Sequence, residues 1–289
     1  MNPDVINALV AAGLLDPATA DIIRRQQDID AARLWAETIV AEATQAGLSA
    51  QQQRLVELVA RTNGRPSATD LATFWAGEND LLLAALRPSL LSVASERATF
   101  AAVASERATF AAVAGGQANA FALINQQVIA WAEDYYINPD AGVYGSVPNL
   151  NLTSRTQFAN AFIEWQRGEL EVGRPTGLPQ LIDALTPIFG PVRAEAIGVT
   201  ETTRLFVWSQ RIAEENNPFT VAFRWLTSAD ERVCPICGPR HGEVRRKNRD
   251  FSGGVDIPAH VRCRCHETPE TEATLALPLP PEERFVYAG

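Results

Sequence analysis

Residues 234–237 read Cys-Pro-Ile-Cys, and residues 258–266 read Pro-Ala-His-Val-Arg-Cys-Arg-Cys-His. All four cysteines of the chain, Cys234, Cys237, Cys263 and Cys265, lie in these two stretches, with His260 three positions before Cys263 and His266 directly after Cys265. Zinc takes four nitrogen or sulfur ligands in a tetrahedron, usually as two close pairs joined by a loop. A CxxC turn supplies one such pair, and the second stretch supplies the other. Soft thiolates at this spacing favour zinc over magnesium or calcium. Five or six donors compete for four places: two are expected from Cys234 and Cys237, and two from His260, Cys263 and Cys265. Three other uses of these thiols stay open at this level: disulfides, a CxxC redox pair, and plain buried thiols. A disulfide requires an oxidising compartment, yet the N-terminus MNPDVINALVAAGLLD lacks a basic region and meets Asp4 at once, so no secretory signal is expected. A redox pair requires a βαβ setting that the surrounding pattern lacks.

Outward from the cysteines, residues 216–270 change character from what precedes them. Val221, Phe223 and Trp225 alternate as in a short strand, and the rest is rich in turn residues. So loop-rich a segment has a small core, and a structural metal would explain how it holds a fold. Its charge is also distinctive. Residues 224–265 carry nine Lys or Arg against five Asp or Glu, whereas the whole chain has a net charge of −9. A basic module on an acidic body excludes a generally basic nucleic-acid coat but leaves a local contact possible. Arg245, Arg246, Lys247, Arg249, Arg262 and Arg264 are the candidates to meet DNA or an acidic partner. The bland counterpart is that several of them pair with carboxylates of the body.

Upstream, the chain reads as helix. Its 289 residues are 46% hydrophobic and 20% charged, enough apolar material for a sizeable core. Asp16 and Pro17 look like an N-cap followed by proline at the first helical position. Ile22, Ile23, Leu34, Trp35, Ile39 and Val40 fit one helix closed by Gly47. Ser49 then opens another, with Leu55, Val56, Leu58 and Val59 on its apolar stripe and Gly64 as its stop. Ser67 and Asp70 form a capping-box pattern before Leu71 and Phe74. Helices are expected again at 154–167 and 178–189, and a pair over 191–215 broken near Gly198. Trp35, Trp75, Trp131 and Trp165 suit burial against helices or other subunits.

The expected division is therefore a helical region over 1–133, a linker over 134–152, helices over 153–215, a metal module over 216–270 and an extended tail over 271–289. That tail could dock through Phe285 and Tyr287. The fold class is mainly α: a helical body with a small C-terminal zinc-stabilised α+β module. The longest uncharged run, 108–132, is too polar for a membrane helix, so no membrane partner is expected. VASERATFAA at 93–102 returns unchanged at 103–112. A ten-residue step rotates a helix by about 1000°, about 80° short of whole turns, so the two copies would face different ways. Tolerated slippage in an alanine-rich helix is the simplest reading.

The stretch WLTSADERVCPICGPRHGEV…IPAHVRCRC resembles the C-terminal signature of phage Mu F-like minor head proteins, also called phage head morphogenesis proteins. Trp225, Thr227, Asp230, Cys234, Pro235, Cys237, Gly242, Pro258, His260, Cys263, Arg264 and Cys265 carry the likeness. Upstream, Arg193, Ala194, Ile197, Thr200, Glu201 and Thr202 resemble the family's helix pair. The likeness is specific over about 187–268, weak over 120–186 and absent before that. The chain departs from the family at His260-Val261, where His-Pro is usual, and at Gly198, where a better helix former is commoner. The resemblance implies a non-enzymatic, low-copy component of a phage or prophage virion, assembled in the host cytoplasm and sited near the portal vertex. Its partners would be the portal protein and the major capsid or scaffolding protein, with packaged DNA as a further contact during packaging or ejection.

Three rivals are weighed against that reading. A zinc-supported HNH nuclease would use His241, Asn248, His260 and His266 on a ββα hairpin, but no clear helix carries the last histidine. A nucleic-acid-binding module would use the basic residues alone. A helical adaptor binding only protein would dispense with DNA. Thr200-Glu201-Thr202 reads as a helix start with a carboxylate near the dipole rather than as a catalytic acid.

Overall fold

A computed structural model describes residues 3–110, 117–137, 147–172, 177–215, 217–228 and 234–275. The body is built from α1 (Pro3–Ala11), α2 (Pro17–Arg61), α3 (Ala68–Phe110), α4 (Gln117–Ile137), α5 (Val147–Val172), α6 (Leu178–Phe189) and α7 (Pro191–Glu215). The C-terminal module follows, with β1 (Ala222–Leu226), β2 (Val244–Arg246), β3 (His266–Glu270) and the short α8 (Glu272–Leu275). The molecule is thus mainly helical, with one small sheet near its C-terminal end.

Two glycines expected to interrupt helices instead let helices touch. α2 runs through Gly47 as one 45-residue helix, and a Cβ added there would come within 2.7 Å of Leu82 Cδ1 on α3. α7 runs through Gly198 as one helix, and a Cβ there would lie 2.9 Å from the backbone nitrogen of Ala41 on α2. Helix propensity costs about 1 kcal/mol at each glycine. Backbone-to-backbone packing of long apolar faces outweighs it, and α2 lies against both α3 and α7 along much of its length. Gly64, by contrast, does end its helix, in a left-handed conformation with φ of 76°. The capping box is formed as expected: the backbone N–H of Ser67 donates to Asp70 Oδ2 at 2.8 Å, and that of Asp70 to Ser67 Oγ at 3.1 Å.

The body's core joins Leu48 and Leu55 of α2, Leu82, Leu86 and Leu90 of α3, Phe158 and Phe162 of α5, Leu181, Leu185 and Phe189 of α6 and Leu205 of α7. Trp75 and Trp165 are buried in it, Trp131 stacks on Trp208 with ring centroids 5.2 Å apart, and Trp35 is substantially exposed. The expected linker is narrower than 134–152, because 134–137 finish α4 and 147–152 begin α5; residues 138–146 lie outside the described residues. The tail begins with the helical turn α8 rather than extended chain, and its remainder, with Phe285 and Tyr287, lies outside the described residues. α3 carries the first copy of the duplication and the second as far as Phe110. Val93 and Ala94 of the first copy are buried.

The sheet is antiparallel in the order β2-β1-β3, so the central strand is the one read from Val221, Phe223 and Trp225. Trp225 is fully buried and meets Phe251 edge to face at 5.0 Å. The module's own apolar cluster consists of Trp225, Phe251, Ile257, Cys237, Cys263 and Cys265, with Val207 contributed by α7.

Candidate metal centre

Cys234 and Cys237 flank a tight turn that runs into a short 3-10 segment at Gly238–Arg240. The N–H groups of Cys237 and Gly238 donate to the Cys234 carbonyl at 3.1 and 2.9 Å, and the Cys237 N–H also points at Cys234 Sγ at 3.3 Å. This turn aims both sulfurs the same way. The second stretch turns at Arg262, whose φ of 63° is left-handed, and the Cys263 N–H closes the turn on the His260 carbonyl at 3.1 Å. His260 and Cys263 thereby face the first pair.

The distances show how far the two stretches converge. His260 Nε2 is 3.0 Å from Cys234 Sγ and 3.2 Å from Cys237 Sγ, and Cys237 Sγ is 3.8 Å from Cys263 Sγ. Two groups result, Cys234–Cys237–His260 and Cys237–Cys263–Cys265, in each of which the donor atoms all lie within 4.8 Å of one another. Cys237 belongs to both, so the five donors form two overlapping sets of three that meet at its sulfur. Metal–sulfur bonds of about 2.3 Å in a tetrahedron place two sulfurs about 3.8 Å apart, which is the Cys237–Cys263 separation. All four cysteines are free, and 3.8 Å is nearly twice the roughly 2.05 Å of a disulfide bond. Cys234, Cys237, His260, Cys263 and Cys265 form groups that could hold a metal, as expected, and no disulfide joins the four cysteines.

The electrostatics of the cluster suit a cation. Hydrogen bonds from Cys237 and Cys265 hold Cys263 toward the thiolate form, well below the usual thiol range. Sharing that proton pushes the Cys237 thiol well above it. A divalent ion bound there would replace the protons that the three buried sulfurs share, since it binds thiolates and releases protons. The His260 ring is oriented through Nδ1, which lies 2.7 Å from the Val261 carbonyl and leaves Nε2 toward the sulfurs.

The other histidines do not join the cluster. His241 Nδ1 lies 2.8 Å from Thr227 Oγ1. His266 begins β3, where burial and the nearby Arg33 and Arg97 lower its pKa to about 4 and favour the neutral ring. A ββα hairpin carrying its last histidine on a helix is absent among the described residues, since His266 lies on a strand.

The six basic candidates divide sharply. Arg245 is buried, with its guanidinium 3.1 and 3.2 Å from the Glu267 carboxylate and bonded to the carbonyls of Lys247 and Arg249. Arg262 reaches Glu195 Oε2 on α7 at 2.6 Å, and Arg264 reaches Glu37 on α2 at 3.3 Å. Lys247 Nζ donates to the Asn217 carbonyl at 3.0 Å. Arg246 is exposed and 3.2 Å from the exposed Glu272, while Arg249 is exposed at the mouth of a cavity of about 290 Å³ between α7 and the module. Arg245 ties the module together and Arg262 and Arg264 tie it to the body, Arg262 with a side chain still 46% exposed; of the six, Arg246, Arg249 and the edge of Lys247 face outward without bonding the body.

Sequence reasoning missed how α7 takes part. Thr200-Glu201-Thr202 is not a helix start: it lies in the middle of α7, with Glu201 fully buried. Thr200 and Thr203 bond the metal loop directly. Arg262 N–H donates to Thr200 Oγ1 at 2.9 Å, and Thr203 Oγ1 donates to the Cys263 carbonyl at 2.6 Å. The signal was present as a pair of hydroxyls three residues apart on one helix face, but it has no meaning until the partner loop is placed. Asp230 lies outside the described residues. No helix among the described residues is long and apolar enough to cross a membrane. Comparisons of the chain with models of protein families, with curated proteins and with solved structures returned no match.

Proposed function

We propose that the chain is a structural minor head protein of a phage or prophage, without catalytic activity, and that a zinc ion knits its C-terminal module into a rigid knob. The observation that carries this reading is that two stretches bring five soft or borderline donors into two overlapping groups that share Cys237. The stretches that carry the resemblance to phage head morphogenesis proteins, α7 and the CxxC and HVRCRC loops, pack as one unit rather than as separate pieces. Zinc would be held by four of Cys234, Cys237, His260, Cys263 and Cys265 and would act only as a structural cross-link. The partners are the portal protein and the major capsid or scaffolding protein, met in several copies per virion. Contact with packaged DNA falls to Arg246, Lys247 and Arg249, the cations the module leaves outward.

Metal analysis of the full chain purified without chelator tests the zinc: about one zinc per chain is expected, and a content far below that sinks the site. Cryo-electron microscopy of the virion tests the rest. Density for the helical body at or beside the portal supports the assignment, and its absence from intact virions overturns it.

A further inference from the structure

The metal loop is gripped from outside, and most of the grip comes from α7. Arg262, between His260 and Cys263, sits in the left-handed region, where a non-glycine residue is held at a cost of about 1 kcal/mol or more. Its N–H is bonded to Thr200 Oγ1, its guanidinium to Glu195 Oε2 and to the Val192 carbonyl, all on α7. One residue later, the Cys263 carbonyl accepts from Thr203 Oγ1 at 2.6 Å. That hydroxyl accepts in turn from Arg33 Nη2 of α2, also at 2.6 Å, and Arg33 Nη1 donates to the Arg264 carbonyl at 2.7 Å. Thr203 is 1% exposed, so no water substitutes for its hydroxyl. The peptide units on both sides of Cys263 are thus fixed by two helices of the body.

We propose that Thr200 and Thr203 are positioning residues for the metal site, which set the aim of Cys263 and so make metal affinity a property of the helical body as well as of the ligands. Arg33 extends the same relay to α2. This inference rests on the metal reading above. Groups that orient a ligand without touching the metal typically change affinity about 10–100-fold when removed, and here the groups orient the ligand's backbone instead of its side chain. Thr202, between them in sequence, is the built-in contrast. It is fully buried, yet its hydroxyl has no hydrogen-bond partner among the described residues.

The test uses the full chain and cobalt(II) as the probe, displaced by zinc in competition. Thiolate-to-cobalt charge transfer and the ligand-field bands report the geometry at the ion. Thr203→Val is expected to weaken zinc binding about 10–100-fold and to alter the cobalt bands. Thr203→Ser keeps the hydroxyl and restores both, and Thr202→Val leaves both unchanged. Circular dichroism of each variant checks that the helices persist. If Thr203→Val binds with wild-type affinity and spectrum, the positioning role is overturned. It is equally overturned if Thr202→Val loses as much, because the effect is then general destabilisation. If the unaltered chain binds neither ion near one per chain, the metal reading beneath it fails instead, and the two failures are told apart by that first titration.

Discussion

The helical body and the C-terminal module bury very different kinds of interior. In the body, leucines and aromatics from α2 to α7 meet in one continuous core that spans six helices. In the module, seven buried residues form the apolar cluster, and three of them are cysteines. Around that cluster lie buried charges: Glu267 between Arg211 and Arg245, and Glu270 against Arg224. Apolar burial contributes about 25 cal/mol per Å², so the body rests chiefly on area, with a polar group of Gln51, Arg54, Glu78 and Asn151 inside it. A segment with so few apolar side chains needs a staple, as small domains generally do. The difference teaches that one chain can rest one part on a core and give another a cluster of donors that a metal could cross-link, and each can be attacked separately.

The largest effect is expected from the residue shared by both donor groups. Cys237→Ser removes a ligand from every set that takes both sulfurs of the CxxC turn, and structural zinc in small modules contributes on the order of 10 kcal/mol to folding. Hydrogen exchange should show the amides of 222–270 losing protection in this variant, and in the chelated wild type, while α2 and α3 keep theirs. A module that stays protected after either treatment would erase the contrast with the body.

Next comes the ion-pair layer. Glu267 has a side chain with no exposure and accepts from Arg211 at 2.7 and 2.9 Å as well as from Arg245. Glu267→Gln leaves the buried Arg245 without its carboxylate and Arg211 with Asp256 alone, a loss of about 3–5 kcal/mol by chemical denaturation. Arg246 on the same sheet pairs with Glu272, but the two side chains are 62% and 73% exposed. Arg246→Ala is expected to change stability by less than about 1 kcal/mol. Equal losses in the two variants would mean that burial does not grade the module's charges.

What could be read in the sequence follows the same divide. The donor cluster was legible because CxxC and HVRCRC encode their local turns, and metal chemistry limits what such turns can do. The strand through Phe223 and Trp225 was legible by alternation, and Ser67 with Asp70 by cap chemistry. Gly47 and Gly198 were misread because a stop signal and a close-packing signal are the same residue. Only the position of Leu82 and Ala41 tells them apart. Pairing of the basic cluster with carboxylates of the body was foreseen but its partners were not: Glu37, Glu195 and Glu267 lie far from Arg264, Arg262 and Arg245 in the chain, and pairing over such separations leaves no local pattern.

The body has one weakness of its own, and its expected effect lies below that of Glu267→Gln. Glu201 is fully buried in the middle of α7, beside Tyr135, Tyr136 and Arg204. Arg204 Nε pairs with Oε2 at 3.6 Å, too far for a good hydrogen bond, and neither carboxylate oxygen has a hydrogen-bond partner by geometry among the described residues. Burial outweighs the arginine and pushes the carboxyl up to about 7. Because the folded value lies above the unfolded one, its contribution to stability is fully present below about pH 4.5 and is lost as pH rises through about 7. The full span is worth at most about 3 kcal/mol, at 1.36 kcal/mol per unit. Chemical denaturation at pH 5 and pH 8 should therefore show the wild type losing more stability with rising pH than Glu201→Gln, whose side chain does not titrate. The cysteines and histidines titrate alike in both proteins, so the difference between the curves isolates this carboxyl. Parallel curves would mean that water or Arg204 reaches Glu201, and that the body's interior is not as dry as its packing implies.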